Sequence, residues 1–206
     1  KMATIPVKAE DDIRNRWFCN HQATMHDYTS AKGDKISVID WRKPGTGVYS
    51  VRYLLDRNYL HVTGDCGDAL YQLTEEATLE RLAHYDMDFL FGKLRCMDSE
   101  GGLYFDTDTA VEGIRWFAKE YGKPQTSEAQ ECFNEVIEAA EECSSLSEWN
   151  QRLAVFDSSS YVFSDYFGTD WYEWMPSCGE VYSYQAVAFW LGLRMAYTQL
   201  HYGKEV

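Results

Sequence analysis

The chain lacks most of the short signatures that announce a reaction. It has no G-x-x-x-x-G-K-[ST] phosphate loop and no G-x-G-x-x-G turn for a dinucleotide. The G-x-S-x-G elbow of a serine hydrolase is also missing. Six cysteines occur, at Cys19, Cys66, Cys96, Cys132, Cys143 and Cys178, and none form a C-x-x-C pair. That spacing excludes the common structural zinc patterns, which need paired ligands at short intervals. No apolar run approaches the ~20 residues that span a bilayer, so no membrane association is expected. No secretory leader is evident, and we expect reduced thiols in a bacterial cytoplasm rather than disulfides. Lys1 ahead of Met2 reads as the scar of an expression tag, so the natural chain is expected to begin at Met2. Repeats, low-complexity tracts and flexible linkers are lacking too. With 206 residues, we expect a single domain over 1–206 with a core of its own.

Positive charge is scarce in one half only. The net charge is -14. Up to Cys96 there are 13 Lys and Arg against 14 Asp and Glu, whereas from Met97 onward there are 6 against 19. A field this negative repels nucleic acid and acidic membranes and attracts basic surfaces. Apolar residues make up 45% of the chain, which is ordinary for a folded protein, and the 16% aromatic share is high.

Residues 35–73 carry the clearest strand pattern. Short β-branched and aromatic runs alternate with a period of two between punctuators at Lys43–Gly47, Asp56–Asn58 and Gly64–Asp68. Tyr49, Val51, Tyr53 and Leu55 share one face, and Leu60 and Val62 continue it. The expectation is an α+β fold, in which a small antiparallel sheet over about 35–73 is covered by five or six helices. Residues 8–19 read as a short helix and 20–34 as irregular. Thr74 caps a helix that runs through Leu94 with a possible kink at Tyr85–Asp88. Helices follow from Asp106 or Asp108 to Tyr121, over 128–143, over 146–156 and over 180–202. Residues 157–179, rich in Tyr, Phe and Trp, read as an ordered connection.

The sharpest functional signal is the helix over 128–143. Glu128, Glu131, Glu135, Glu138 and Glu142 step by three, four, three and four, which lines them along one face. Cys132, Phe133, Val136, Ala140 and Cys143 fall on the other side. Solvated faces usually mix Glu with Lys, because opposite charges one turn apart stabilise a helix and like charges destabilise it. Here the repulsion costs about 1–2 kcal/mol. No Lys or Arg occurs between Pro124 and Gln151. Such a row resembles the spaced phosphates of a nucleic acid, although each step rises about 5–6 Å against about 3.4 Å between base-pair levels. A plain solvated face is the competing account.

Other constellations are weaker. His61 with Asp65, Cys66 and Asp68 in the Gly64–Asp68 loop could serve a hydrolase as nucleophile and base, but hairpin loops take Asp and Gly for backbone reasons alone. Cys19, His21, His26 and Asp27 offer metal-capable atoms in no known spacing, and Asp98, Glu100, Asp106 and Asp108 do not follow the calcium-loop order. No metal or cofactor is expected. Arg42, Lys43, Arg52 and Arg57 among Tyr49, Tyr53 and Tyr59 could form a nucleic-acid platform. The overall charge argues instead that they pair with acids of the second half, so no direct nucleic-acid binding is expected.

The run Trp41-Arg42-Lys43-Pro44-Gly45-Thr46, with Tyr49, Val51-Arg52-Tyr53, Val62, Gly64-Asp65 and Gly67, resembles uncharacterised small acidic proteins of phages and mobile elements. The likeness covers about residues 36–73 and carries no catalytic residue. It implies a context of host-defence evasion, for which anti-CRISPR proteins are the best-known group. Together with the Glu row, it leads to the expectation of a non-enzymatic inhibitor docked on the basic nucleic-acid-binding groove of a host protein, with a CRISPR effector nuclease foremost. The alternatives are the loop hydrolase above and an interaction module of a phage or host assembly that uses the aromatic segment 161–174.

Overall fold

In a computed structural model, residues 3–98, 102–159 and 161–203 are described. Lys1, Met2 and Glu100, singled out above, lie outside them. The class is α+β, as the sequence pattern predicts. In chain order the elements are α1 (Ala9–Asp12), which continues as a π-turn over Ile13–Trp17, then β1 (Gln22–Thr29), β2 (Lys35–Arg42), β3 (Val51–Asp56), β4 (Tyr59–Gly64) and β5 (Ala69–Gln72). Next come α2 (Leu79–His84), α3 (Met87–Phe91), β6 (Leu94–Met97), β7 (Leu103–Phe105), α4 (Thr107–Tyr121), α5 (Ser127–Glu142) and α6 (Leu146–Ser159). The chain closes with α7 (Tyr161–Phe167), α8 (Trp171–Trp174), a 3-10 turn at Met175–Ser177, β8 (Glu180–Tyr182) and α9 (Tyr184–Tyr202). Contacts group these into two compact units. One holds Ile5–Gly102 and Ser183–Val206, and the other holds Lys1–Thr4 and Leu103–Tyr182.

The first unit is built on an antiparallel meander of strand order β1-β2-β3-β4-β5-β6. Its register puts Ile39 opposite Tyr53, Tyr53 opposite Val62, and Leu55 opposite Leu60. The alternation seen in sequence therefore becomes one buried face, with Ile39, Trp41, Val51, Tyr53, Leu55, Leu60, Val62 and Tyr71 all nearly inaccessible. A one-residue slip would turn this set into water, which fixes the register. Helix α9 lies on β1, β2 and β3. Its residues from Ala186 to Leu193 are all buried, so it is an interior helix rather than an amphipathic one. The Tyr53 hydroxyl donates to the Phe189 carbonyl at 3.0 Å. Gly192 allows that approach, since a Cβ there would lie 2.2 Å from the Tyr53 oxygen and 3.3 Å from the Phe18 and Trp41 rings.

Several local expectations are corrected. Residues 22–29 form edge strand β1 rather than an irregular stretch. Seven of its eight residues are exposed, so backbone pairing with β2 defines it and no apolar alternation announces it. The helix expected from Thr74 begins later. Thr78 is its N-cap, accepting from the Arg81 amide, and Tyr85 ends α2 in an extended conformation. Asp86 then caps α3 by accepting from the Phe89 amide at 2.7 Å, and Leu94 belongs to β6, opposite Tyr71. In the second unit, residues 161–167 and 171–174 are helical where a connection was expected, and residues 180–182 pair with β7 instead of opening α9.

The second unit packs α4, α5, α6 and α7 around Ile114, Val136, Ala140, Trp149, Leu153, Phe163 and Phe167. The Trp149 indole N–H donates to the Met175 carbonyl at 3.1 Å, which satisfies the one polar atom of a fully buried ring. Thr4 extends the β7-β8 pair by a parallel bridge to Val181, its amide donating to the Glu180 carbonyl and its carbonyl accepting from the Tyr182 amide.

Gly192→Ala tests the seat of α9 by the sign of its effect. Helix propensity alone would raise stability by about 1 kcal/mol. Overpacking against Tyr53 should instead lower it by about 1–3 kcal/mol. We expect a lower urea midpoint; a higher one would mean that the tyrosine yields freely.

Candidate functional site

Helix α5 starts because Thr126 is extended and its hydroxyl accepts from the Ala129 amide at 3.1 Å. The Ser-x-x-Gln pattern of Ser127 and Gln130 forms no capping box: the cap is Thr126, one residue earlier, and the Gln130 side chain donates to Asn134. The helix stops where Cys143 turns extended. Ala129, Cys132, Val136, Ala139 and Ala140 are buried, and Phe133 and Ile137 are partly so. The buried flank contacts α4 and α7. Phe133 meets Tyr166 edge-on and lies near Phe167.

All five glutamates of the row are exposed. Glu142 meets Arg152 at 3.2 Å, a surface pair with both side chains about half accessible. Glu128 accepts from the Ser127 hydroxyl at 3.2 Å. Its own backbone N–H and the Ser127 and Thr126 hydroxyls hold its carboxyl below the usual range. That is the expected place for an anion, at the positive end of a helix. Among the described residues, Glu131, Glu135 and Glu138 have no ion pair and no hydrogen bond. The central three anions of the row are therefore uncompensated.

The wider charge pattern is equally one-sided. From Leu103 to Tyr182 there are four Lys and Arg against sixteen Asp and Glu. Basic residues of the first unit were expected to neutralise acids of the second half, and the ion pairs correct this. Arg52 binds Asp40 at 2.7 Å, Arg57 binds Asp56, Lys35 binds Asp27, Arg16 binds Asp12 and Arg81 binds Glu75. The sheet thus satisfies many of its cations with its own carboxylates. Register explains the strongest pair, because Asp40 and Arg52 stand directly opposite on β2 and β3.

The Gly64–Asp68 loop is occupied with its own backbone. Asp65 accepts from the Tyr49 amide at 2.7 Å, and the Cys66 amide reaches the Ser50 carbonyl. Tyr49 sits at φ +55°, with its ring stacked on Trp17 at 4.8 Å, so the Asp65 bond holds a left-handed residue in place. Burial first, and then the Asp65 charge, push the Cys66 thiol up to about 12. A thiol that resists ionisation is a poor nucleophile at neutral pH.

His21, weighed above as a metal-capable residue, is buried and donates its Nε2–H to the Tyr49 carbonyl at 3.1 Å. Burial lowers its pKa. Asp27 instead accepts from Ser37 and pairs with Lys35 on the exposed edge. Among the described residues no three His, Cys, Asp or Glu side chains are grouped to hold a metal ion. None of the described helices is long and apolar enough to cross a membrane, and no disulfide links the six cysteines.

Of the sequence-derived candidates, then, the Glu row comes together on one accessible face, and the Asp65 carboxylate and the Cys66 amide are tied into turn structure. The Ser145 hydroxyl accepts from the Glu148 amide, while the Glu148 carboxylate reaches back to the Ser144 amide and hydroxyl. No family model, curated protein or solved structure matches the chain.

Two measurements check this site. Cys66 should alkylate far more slowly than exposed Cys19 and Cys96 at neutral pH, read by peptide mass mapping; fast labelling would restore a reactive loop. Glu135→Lys should raise unfolding free energy by about 1 kcal/mol, since it turns repulsion from Glu131 and Glu138 into attraction. No gain would mean that the row is screened in the native chain.

Proposed function

We propose that this chain is a non-enzymatic inhibitor whose acidic helix face occupies the basic nucleic-acid-binding groove of a host-defence protein. The observation that carries the reading is the exposed, uncompensated trio Glu131, Glu135 and Glu138 on α5. A groove lined by Lys and Arg for a phosphate backbone offers partners for such a row, and complementary potentials speed encounter and fix register. The row spans about 21 Å from Glu128 to Glu142 at 1.5 Å per residue. That length matches about six base-pair levels at 3.4 Å.

The like-charge cost supports the same reading. A face maintained only for solubility gains by mixing Lys into these positions, and this face has none. The resemblance of residues 36–73 to small phage proteins makes a CRISPR effector nuclease the first partner to test.

The test is inhibition of purified effector nucleases by the parent chain and by the combined Glu131→Lys, Glu135→Lys and Glu138→Lys variant. The parent should act stoichiometrically, compete with guide or target nucleic acid, and weaken steeply with salt. The variant should lose on the order of a hundredfold in affinity or more, with its circular dichroism unchanged and its melting temperature no lower. Equal inhibition by both chains would remove α5 from the mechanism, and inhibition without competition would remove the groove.

A further inference from the structure

Within the second unit, α4, the end of α7, α8 and the segments between and beyond them enclose a cavity of about 620 Å³. This lies in the range of small-ligand sites. Its walls are aromatic. Phe117 is stacked between Tyr121 at 4.9 Å and Trp174 at 4.6 Å. Trp116 meets Tyr121 at 81°, and Tyr166 meets Phe117 at 83°, so ring surfaces bound the space from more than one direction. Trp116 is 53% exposed and Tyr121 72%, a large accessible aromatic area for a folded chain.

The polar lining carries a single sign. Asp165, Asp170 and Glu173 border the cavity, and no Lys, Arg or His does. Among the described residues none of the three carboxylates is in an ion pair. Among the described residues no Lys or Arg lies over these rings either; the cation–π contacts there are Lys93 on Phe89 and Arg194 on Trp190, both in the other unit.

We infer that this cavity binds an alkylated ammonium group, its methyls against the Trp116, Tyr121 and Trp174 rings and its charge balanced by Asp165, Asp170 and Glu173. Aromatic faces are negative and attract cations. A metal ion would keep its water and needs oxygen ligands on several sides. A bulky quaternary ammonium is weakly hydrated and fits both the rings and the volume. The site is separate from the Glu row. At 100° per residue, Phe133, which packs on Tyr166 and Phe167, lies about 180° around α5 from the mean direction of the glutamates. The inference stands whether or not that row docks on a nuclease.

Two sources share this chemistry, a free choline-like molecule and a trimethylated lysine side chain. Titration of the full chain with tetramethylammonium, choline and a trimethyl-lysine peptide, followed by the Trp indole N–H resonances, tests it. Saturable shifts confined to a subset of indoles are expected. The neutral tert-butyl isostere of choline should bind at least several times more weakly. Trp116→Leu, and separately the Asp170→Asn, Glu173→Gln pair, should each weaken choline binding by about two- to fivefold, with the urea midpoint unchanged. Tighter binding of the peptide than of choline assigns the site to a protein side chain, and the reverse order assigns it to a small molecule. No saturable shift, or equal binding of the neutral isostere, overturns the proposal.

Discussion

Burial of one flank of helix α5 is the constraint on which both surfaces of the second unit depend. Val136 and Ala140 are fully inaccessible, and Cys132 and Ala139 nearly so. A helix has only so much circumference. Once that stripe faces α4 and α7, every residue on the far side must face water. Glu131, Glu135 and Glu138 are therefore presented outward by the packing of their neighbours, with no contact of their own required. The same burial brings Phe133 against Tyr166 and Phe167, which belong to the aromatic assembly around the cavity. A core contact thus orients an anionic face on one side and supports ring walls on another.

The first unit solves a different problem. Its central strands bury a continuous face under α9, and α9 approaches closely because Gly192 has no side chain. The Tyr53 hydroxyl, fully buried, finds the Phe189 carbonyl, so the large ring is accommodated without an orphaned donor. Charges at the strand surface are matched across the register, as with Asp40 and Arg52. Arg16, Lys35, Arg52, Arg57 and Arg81 all pair with carboxylates of the same unit.

The sheet was legible where one face is buried and the other is wet, because that condition writes a period of two into the sequence. It was illegible at β1, where nearly every side chain is exposed and only the backbone records the strand. The Glu row could be read from spacing alone, since a helix of known pitch converts steps of three and four into a face. Its freedom from partners could not, because pairing depends on long-range placement; Arg152 meets Glu142 one helix later, while the basic residues of the sheet find acids nearby. The aromatic cavity was missed for the same kind of reason. Trp116 falls outside the stripe of Val111, Ile114, Phe117 and Ala118 that α4 buries, and 161–174 read as a connection. A usable signal was present: Asp165, Asp170 and Glu173 are interleaved with Tyr166, Phe167, Trp171 and Trp174, and no base falls among them.

Solubility alone is a poor explanation of how the acids are distributed. It depends on net charge and is indifferent to where the charges sit, provided that both signs are mixed and large single-sign fields are avoided. Sixteen acids against four bases between Leu103 and Tyr182 make such a field, while the rest of the chain is nearly neutral. Within that segment the acids are placed with further selectivity. Glu148 is taken up by the Ser144 amide at a helix start, and Asp106 caps α4 through the Thr109 amide. These carboxylates support the fold. Glu131, Glu135 and Glu138 support nothing in it and repel one another, so the stability of the chain offers no reason for their row, and the reason is to be sought in what meets that face.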